Sequence, residues 1–453
     1  MALLLMLMLA LATRALMAHF VAAHFTDAAW FQYGSYAVLD ERAQNILDGK
    51  ESPIWIEDAS RTDMAQYPPG FPLWMALIYK LTGMRSPSSV QSVQWVMDAL
   101  AVWLVAGIGV TAFSWRVGFL AGFLAALSPL LAMYGAYPMT DAPTSWLVLG
   151  GVWMLVLSAK RRSVAWAIGA GLVLGLACWL RVNPLFLIFV WAAALLVLVH
   201  ATWRRRMIMS GALIASFALA VAPVIIRNLA FWPEFVPTGL SVGTNLWEGI
   251  GETERGSEFG AFCCDQPIIE EERRAMNLPQ DFPIKNFWPD GIRRDRERGA
   301  RALAVIRAHP IWYAGTMLRR MMWMFKYAGR PSPSYGSMGV NVTSSKCLPE
   351  SLQGGLLGFF VNTLGALQSV MRYLLLPLIL CGTVFAWLKD RSMTLLIFIT
   401  IIYYMLTLSI GHSEARYGLP MQALLLVFAG LAVCRLYEIA EQFKSKKAKG
   451  RQK

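Results

Sequence analysis

Charged side chains stand at the ends of long apolar segments, and their types suit group-transfer chemistry. Three candidate carboxylates belong to one polar stretch, residues 25–89, and a fourth begins a later apolar segment. A carboxylate shielded from water can remove a proton from an attacking group, whereas arginine and lysine bind phosphate oxygens. The carboxylates are Asp27, Asp40, Glu41 and Asp141, and the cations are Lys80, Arg181 and Arg416.

Several of these residues also have an ordinary structural interpretation. Asp40 precedes the run ERAQNIL and Asp141 precedes an apolar helix, so either carboxylate could serve as an N-cap. Lys80 could extend its side chain to the membrane interface. These structural roles remain open beside the chemical ones.

The later cations have alternatives of the same kind. Arg181 lies almost inside an apolar segment, where an ionised side chain needs a partner. It could bind phosphate or form a structural ion pair. In HSEARYGLP, Glu414 and Arg416 could pair with each other, and His412 and Tyr417 would at most support them.

The composition indicates a membrane protein with many spans. Of the 453 residues, 57% are hydrophobic and 15% are charged, with a mean hydropathy of +0.48. A soluble domain would carry about 25% charged residues. The net charge of +13 comes largely from basic groups that flank apolar runs, as in cytoplasmic loops. We therefore expect contact with membrane lipids and no binding of nucleic acid.

The apolar runs predict an all-α polytopic fold with about ten transmembrane helices and both termini in the cytoplasm. The segment 311–329 carries two central arginines, so we expect it to lie in the interface rather than to span. The predicted spans are 2–24, 90–113, 116–137, 143–158, 164–180, 184–201, 207–227, 365–387, 392–411 and 418–436.

These spans suggest three parts. They are an N-terminal module over 1–228 with its first external loop at 25–89, an external section over 229–360, and C-terminal helices with a basic tail over 361–453. The first apolar run could also be a signal peptide, but it lacks a basic beginning and is interrupted by an arginine, which favours a spanning helix.

Cysteines in the polar stretches raise the question of a disulfide. If those stretches face an oxidising compartment, Cys347 could pair with Cys263 or Cys264. One polar-stretch cysteine would then remain without a partner.

The stretch YPPGFPLW, residues 67–74, breaks the apolar pattern because its prolines cannot continue a helix. We predict that the first external loop turns back here onto the membrane, followed by a short amphipathic helix over Leu73–Leu81. The motif would then supply geometry rather than chemistry.

Several motifs, in their order along the chain, resemble the GT-C class of polyprenyl-phosphate-sugar glycosyltransferases. An Asp-Glu pair precedes AQNILDG, and YPPGFPLWMALIY, YPMTDAP, LRVNP, GTNLWEG and HSEARYGLP follow. The resemblance is to the bacterial glycosyltransferase family 39, which is similar to protein O-mannosyltransferases and to the aminoarabinose transferase of lipid A. It covers most of residues 30–430.

This resemblance implies a fold of many helices and a lipid-phosphate sugar donor that enters from the bilayer. It also implies an inverting transfer to a hydroxyl or amine on the external face of a bacterial inner membrane. In relatives, an acidic residue of the first external loop acts as general base, and it stands where this chain has Ser35, fourteen positions before Gly49. Because of that departure, Asp40, with Glu41 beside it, and Asp27 are the candidates.

The resemblance further implies roles for the other charged residues. Asp141 stands where relatives carry an acidic residue after the third helix, so it would orient the acceptor or bind a divalent ion such as Mg²⁺ or Mn²⁺. Arg181, Lys80 and Arg416 are the candidates for the donor phosphate.

Two other functions compete with transfer. A flippase of lipid-linked sugars would also be polytopic and basic, but it would carry charges near the membrane midplane and paired broken helices. A non-catalytic scaffold would not need its charged residues to converge. Neither the sugar nor the acceptor follows from the sequence.

Overall fold

A computed structural model describes residues 2–23, 25, 26, 31, 34–52, 62–263, 265–275, 277, 279, 291–325, 343–412 and 414–450. Within these residues the regular structure is helical, as predicted. The α-helices are α1 (Ala2–Ala22), α2 (Ser35–Leu47), α3 (Gly70–Thr82), α4 (Pro87–Ala112), α5 (Trp115–Leu127), α6 (Pro129–Ala136), α7 (Asp141–Arg161), α8 (Val164–Ala177), α9 (Leu187–Leu198), α10 (Trp203–Phe231), α11 (Val242–Gly251), α12 (Asp265–Ala275), α13 (Gly291–Ala308), α14 (Pro310–Trp323), α15 (Gly355–Lys389), α16 (Arg391–Ile410) and α17 (Leu419–Gly450).

The protein is a multi-pass membrane protein. Seven of the described helices are long and apolar enough to cross a membrane, namely α1, α4, α7, α10, α15, α16 and α17. The pair α5 and α6 is apolar enough when taken together but is bent by 58°, and it makes an eighth crossing if the two helices form one span. α8 and α9 are apolar but have 14 and 12 residues, fewer than the roughly 20 of a full span. Each predicted span therefore corresponds to an apolar helix or to the bent pair. The number of membrane-length helices is lower than the predicted ten mainly because α8 and α9 are short.

The bend between α5 and α6 is held by buried polar side chains. Pro129 begins α6 and interrupts the helical hydrogen bonds of the preceding turn. Arg14 and Thr13 of α1 and Gln368 of α15 donate hydrogen bonds of 2.8–3.2 Å to the carbonyl oxygens of residues 125–127. The backbone acceptors freed by the bend thus find partners inside the bundle, as the membrane interior requires.

Arg14, which interrupts the first apolar run of the sequence, also forms a buried ion pair. Its Nε lies 3.0 Å from Oδ2 of Asp98 in α4, and its side chain is 1% exposed. Trp146 of α7 donates to the other oxygen of Asp98 at 2.7 Å. The charge on α1 is therefore neutralised within the bundle, so α1 can carry it through the membrane.

The segment predicted to lie in the interface contains α14, whose 14 residues are too few for a full span. Its two arginines have different environments, since Arg319 is 50% exposed and Arg320 is 8% exposed. Arg320 donates to the carbonyl oxygens of Ser409, at 3.1 Å, and of Gly249. α14 therefore packs against the ends of α16 and α11, and residues 326–329 lie outside the described part.

The section between α10 and α14 is organised around the pair of helices α11 and α13. Asp295 of α13 accepts hydrogen bonds from the backbone N–H groups of Gly243 and Thr244, at 3.2 and 2.8 Å, and so caps the first turn of α11. A Cβ at Gly243 would lie 1.7 Å from the carbonyl oxygen of Asp295. Only glycine allows the two helices to approach this closely.

Cys347 is buried, and the predicted bond between Cys347 and Cys263 is not formed. Cys264, the other predicted partner, lies outside the described residues. A pairing of Cys347 with Cys264 stays a prediction.

The stretch YPPGFPLW begins α3 at Gly70, three residues before the predicted start at Leu73. Pro72 is accommodated because it falls in the first helical turn, where its missing N–H costs nothing. The backbone N–H of Gly70 donates to the carbonyl of Trp179 at 2.8 Å, and a Cβ at Gly70 would lie 2.6 Å from that oxygen. The turn is therefore fixed against the chain segment that follows α8.

Candidate functional site

A small cavity lies where the start of α7, the segment after α8, α16 and the loop before α17 meet. Its empty volume, open side included, is about 210 Å³. The lining residues are Asp141, Thr144, Arg181, Asn183, Tyr404, Arg416, Tyr417 and Pro420. Three residues predicted for the site from sequence, Asp141, Arg181 and Arg416, thus come together here although they are far apart in the chain.

Asp141 lies between the two arginines. Arg181 Nη1 pairs with Oδ1 of Asp141, and Arg416 Nη1 lies 4.0 Å from Oδ2. The Asp141 side chain is 2% exposed, and the two arginines are the partners that a buried carboxylate needs. Thr140 occupies the N-cap position and Asp141 is the first residue of α7, so the N-cap interpretation of Asp141 is wrong by one residue. Its carboxylate lines the cavity instead.

Aromatic residues complete the cavity. The Tyr417 ring contacts both guanidinium groups, with its centroid 4.4 Å from Cζ of Arg181 and 5.2 Å from Cζ of Arg416. Tyr404 is 1% exposed, and its hydroxyl has no hydrogen-bond partner in the described part of the chain. An unsatisfied buried hydroxyl costs about 1–3 kcal/mol. A ligand oxygen in the cavity would remove that cost.

Arg181 retains donors for such a ligand. Among the described residues its hydrogen bonds come from Nη1 alone, to Asp141 and Thr140, and its side chain is 20% exposed. A guanidinium has five N–H donors in a planar fork, which suits phosphate oxygens. Arg181 therefore has guanidinium donors left over that could bind an anion at the open side of the cavity.

A chain of ionic contacts leads from the cavity to α11. Arg416 Nε lies 2.5 Å from Oε2 of Glu414, and Nη2 donates to Oε1 at 2.8 Å. His412 Nε2 lies 3.4 Å from Glu414, and Nδ1 lies 2.5 Å from Oε1 of Glu252. Burial opposes the charge of Glu414, yet Arg416 and His412 together lower the pKa of Glu414 to about 2.

The same contacts act on His412 in the opposite direction. Burial would lower the pKa of His412, but its hydrogen bonds to Glu252 and Glu414 raise that pKa well above 6.5. At neutral pH the imidazole is therefore a cation between two carboxylates.

Arg181 is positioned by the chain on both sides of it. α8 ends at Ala177, and the carbonyl of Trp179 accepts the hydrogen bond from the Gly70 turn. On the other side, the Tyr403 hydroxyl donates to the carbonyl of Asn183 at 2.6 Å. The turn of YPPGFPLW therefore supports the segment that carries Arg181. That the turn also places the first external loop over the site stays a prediction.

Asp40 lies in the middle of α2, which begins at Ser35, so the N-cap interpretation of Asp40 is wrong. The Tyr79 hydroxyl donates to Oδ1 of Asp40 at 2.5 Å, and Gln44 donates to Oδ2 at 2.8 Å. Tyr36 lies 3.0 Å from the Tyr79 hydroxyl. Burial and the nearby Asp40 raise the pKa of both tyrosines, so both stay protonated and can donate.

Of the remaining predicted residues, three do not line the cavity, and the fourth lies outside the described residues. Asp40 and its neighbour Glu41 are absent from the cavity lining. Glu41 and Lys80 are exposed, and Lys80 lies in the last turn of α3. Asp27 lies outside the described residues. The roles of these four residues stay predictions.

Sequence reasoning missed part of the site. Tyr404 stands inside an apolar run and gives no signal of its own, and Asn183 follows Arg181 in LRVNP without a distinguishing pattern. Tyr417 was expected only to support its neighbours, yet it contacts both guanidinium groups. Glu252 meets His412 across 160 positions of sequence, a distance that no local pattern bridges.

The surroundings of Asp141 do not fit a divalent metal ion. Mg²⁺ and Mn²⁺ take oxygen ligands, mainly carboxylates and water, whereas both Asp141 oxygens face guanidinium groups. Within the described ranges no three His, Cys, Asp or Glu side chains are grouped as metal ligands. The geometry therefore favours an electrostatic role for Asp141.

Residues 66–226 match the family of dolichyl-phosphate-mannose-protein mannosyltransferases. The matched stretch runs from the YPPGFPLW turn into α10 and contains Asp141 and Arg181. No curated protein sequence matches the chain.

Similar solved structures include the apo oligosaccharyltransferase of Archaeoglobus fulgidus, with a TM-score of 0.50 and 14% identity over 96% of this chain and 52% of that one. The structure of the same enzyme with zinc and sulfate has a TM-score of 0.50 and 16% identity, and the match covers 95% of this chain and 49% of that one. ArnT from Cupriavidus metallidurans bound to undecaprenyl phosphate has a TM-score of only 0.35 and 14% identity, and the match covers 88% of this chain and 72% of that one.

The family match and the fold confirm the resemblance to the GT-C class of glycosyltransferases. The protein is thus a multi-pass membrane protein whose fold is similar to that of the archaeal oligosaccharyltransferase. It spans about half the length of the oligosaccharyltransferase chains that it resembles.

Proposed function

We propose that this protein is an inverting glycosyltransferase that moves a sugar from a polyprenyl-phosphate donor to an acceptor on the external face of the membrane. One observation carries the proposal: Arg181 and Arg416 converge on a cavity that also contains the buried Tyr404 hydroxyl without a partner. The matched family, named for a lipid-phosphate-sugar donor, supports the same donor class. The protein would act in a bacterial inner membrane.

The distribution of basic loops supports an external position for the cavity. α7 begins at Asp141, in the cavity, and ends in the basic run at 159–163. The basic runs at 202–206 and 387–391 likewise lie at helix ends away from the cavity residues. Basic loops stay in the cytoplasm. The Asp141 end of α7 would therefore face outward.

The reaction needs a leaving group, a nucleophile and a base. The acceptor oxygen or nitrogen attacks the anomeric carbon from the side opposite the phosphate, while the bond from that carbon to the phosphate oxygen breaks. The electron pair leaves with the lipid phosphate, and the acceptor proton passes to a carboxylate. Arg181 and Arg416 would stabilise the charge that develops on the phosphate. Attack from the opposite side inverts the configuration.

The base is proposed to be a carboxylate of the first external loop, Asp40, with Asp27 as the alternative. Tyr79 and Gln44 bind both oxygens of Asp40 and fix the orientation of the carboxylate. A fixed, half-buried carboxylate is suited to accept a proton from a bound acceptor.

The competing flippase hypothesis predicts intramembrane charges and broken helices. The structure has both features in one place, the Arg14–Asp98 pair and the bend between α5 and α6. There, however, the charged groups bond to protein partners and hold the bend. This supports a structural role for the pair rather than a transport path.

Transfer of a labelled sugar from a polyprenyl-phosphate donor in membranes tests the proposal. The wild type should transfer label, and Asp40→Asn should lower the rate by about 10²–10⁴-fold. Asp48→Asn, at the C-terminal end of the same helix α2, is the matched control because its partners are the surface residues Lys50 and Arg85.

The outcomes separate the alternatives. Loss of activity in Asp27→Asn but not in Asp40→Asn would assign the base to Asp27. Full activity in both variants would exclude a first-loop base. Movement of labelled lipid across the membrane without transfer would support the flippase instead.

A further inference from the structure

His412 lies where the external section meets the cavity. Its backbone N–H donates to the carbonyl of Asn245 in α11 at 2.7 Å. A Cβ at Gly249 would lie 2.5 Å from the backbone of Gly411, so α11 and this corner are in direct backbone contact. The position of His412 is therefore fixed by α11 as well as by its own loop.

Both ring nitrogens of His412 face carboxylate oxygens, of Glu252 at 2.5 Å and of Glu414 at 3.4 Å. A neutral imidazole has one N–H, so it can donate to only one of them, whereas the imidazolium donates to both. The three side chains are 11–17% exposed. In so dry a site, two carboxylates would repel each other across a neutral ring.

Further charges surround this bridge. Arg320 of α14 lies 3.6 Å from Oε2 of Glu252, and Glu248 of α11 and Tyr417 act electrostatically on His412. On the cavity side, Glu414 binds Arg416 through two nitrogens. A change at Glu252 can therefore reach Arg416 through His412, by way of Glu414 and of the Tyr417 ring, which lies beside both His412 and Arg416.

We infer that His412 is a positioning residue: by bridging Glu252 and Glu414 as a cation, it holds Arg416 at the cavity and makes binding of a lipid phosphate depend on α11. This inference rests on the proposed function for its ligand. His412 itself does not line the cavity, so it acts through Glu414 and Arg416.

The test is binding of undecaprenyl phosphate to the purified full-length protein in nanodiscs, from about pH 6 to pH 8, the range in which histidine responds to its surroundings. The affinity of each variant is divided by that of the wild type at the same pH. This ratio cancels the titration of the ligand phosphate itself.

In Glu252→Gln, His412 loses its closest anionic partner, and burial then lowers its pKa into the tested range. The imidazole is protonated below that pKa and neutral above it. The affinity ratio should therefore be close to one at the acidic end and fall by about 10-fold as pH rises, since a charged hydrogen bond is lost. Recovery at low pH also shows that the variant is folded.

Two further variants complete the test. His412→Gln should bind weakly with a ratio that does not change with pH, because no titrating group bridges the carboxylates. Glu254→Gln is the matched control, since it removes a carboxylate two residues from Glu252 that is 71% exposed and pairs only loosely with Arg319. Its ratio should stay near one throughout.

A ratio for Glu252→Gln that does not vary with pH would overturn the inference. Sugar transfer is measured separately on the wild type. If the predicted binding pattern appears without any transfer, the proposed function fails while the role of His412 stands.

Discussion

Two buried arginine–carboxylate pairs in this protein differ in what surrounds them. Arg14 and Asp98 form a closed cluster in which the remaining donors bind backbone carbonyls or neighbouring side chains. Arg181 and Asp141 border a cavity, and the Tyr404 hydroxyl beside them has no partner in the described part of the chain. The first arrangement satisfies its own donors and acceptors, whereas the second leaves the Tyr404 hydroxyl without a partner among the described residues. We attribute the first to a structural ion pair and the second to the proposed binding site.

The largest expected effect is on stability, in the closed cluster. Asp98→Asn leaves Arg14 as an uncompensated buried charge, so the free energy of unfolding should fall by about 3–5 kcal/mol. The measurement is thermal unfolding in detergent, with the amount of folded protein in membranes as a second readout. Activity per folded molecule should change little. A loss of activity without a loss of stability would contradict the purely structural role of the Arg14–Asp98 pair.

Arg181→Lys should act in the opposite way. Lysine keeps a positive charge beside Asp141, so the fold persists, but it cannot make the two-pronged contact with phosphate. We expect the transfer rate per folded molecule to fall by about 10²-fold. Arg14→Lys is the matched control, and it should lower the melting temperature more than the rate. Equal effects of both variants on the rate would contradict the comparison.

A smaller effect is expected where the YPPGFPLW turn supports Arg181. Gly70→Ala places a Cβ 2.6 Å from the carbonyl oxygen of Trp179, and such overpacking costs about 1–3 kcal/mol. The segment that carries Arg181 must shift, so activity should fall together with stability. Gly211→Ala in α10 is the control, because nothing lies within 4 Å of its Cβ. If Gly70→Ala changed neither stability nor activity, the YPPGFPLW turn would not support Arg181.

The smallest expected effect concerns Tyr404. Tyr404→Phe removes a hydroxyl that has no partner, so the free energy of unfolding should stay the same or rise slightly. If the hydroxyl binds the donor, the KM for the donor should rise by up to about 10-fold. Steady-state transfer kinetics and thermal unfolding together decide this, and a loss of stability without a change in KM would make Tyr404 structural.

Much of the fold follows from the sequence because apolar length and basic flanks are strong local signals. The spans and the interfacial segment could be predicted in this way. The bend at Pro129 and its partners could not, since Arg14, Thr13 and Gln368 meet it from two other helices.

The site was predictable in part for the same reason. Asp141 and Arg181 stand almost inside apolar helices, where a charge needs a partner, and they are partners of each other. Asp40 looked like an N-cap because ERAQNIL resembles a helix start, yet α2 begins five residues earlier. The bridge from Glu252 to His412 is purely tertiary, so no local pattern reports it.

The most direct test of the central claim is an experimental structure of the protein in nanodiscs with undecaprenyl phosphate. We expect the phosphate in the cavity, within hydrogen-bond distance of Arg181, Arg416 and the Tyr404 hydroxyl. A phosphate bound at Lys80 instead, with the contacts between Arg181 and Asp141 unchanged and the cavity empty, would contradict the assignment.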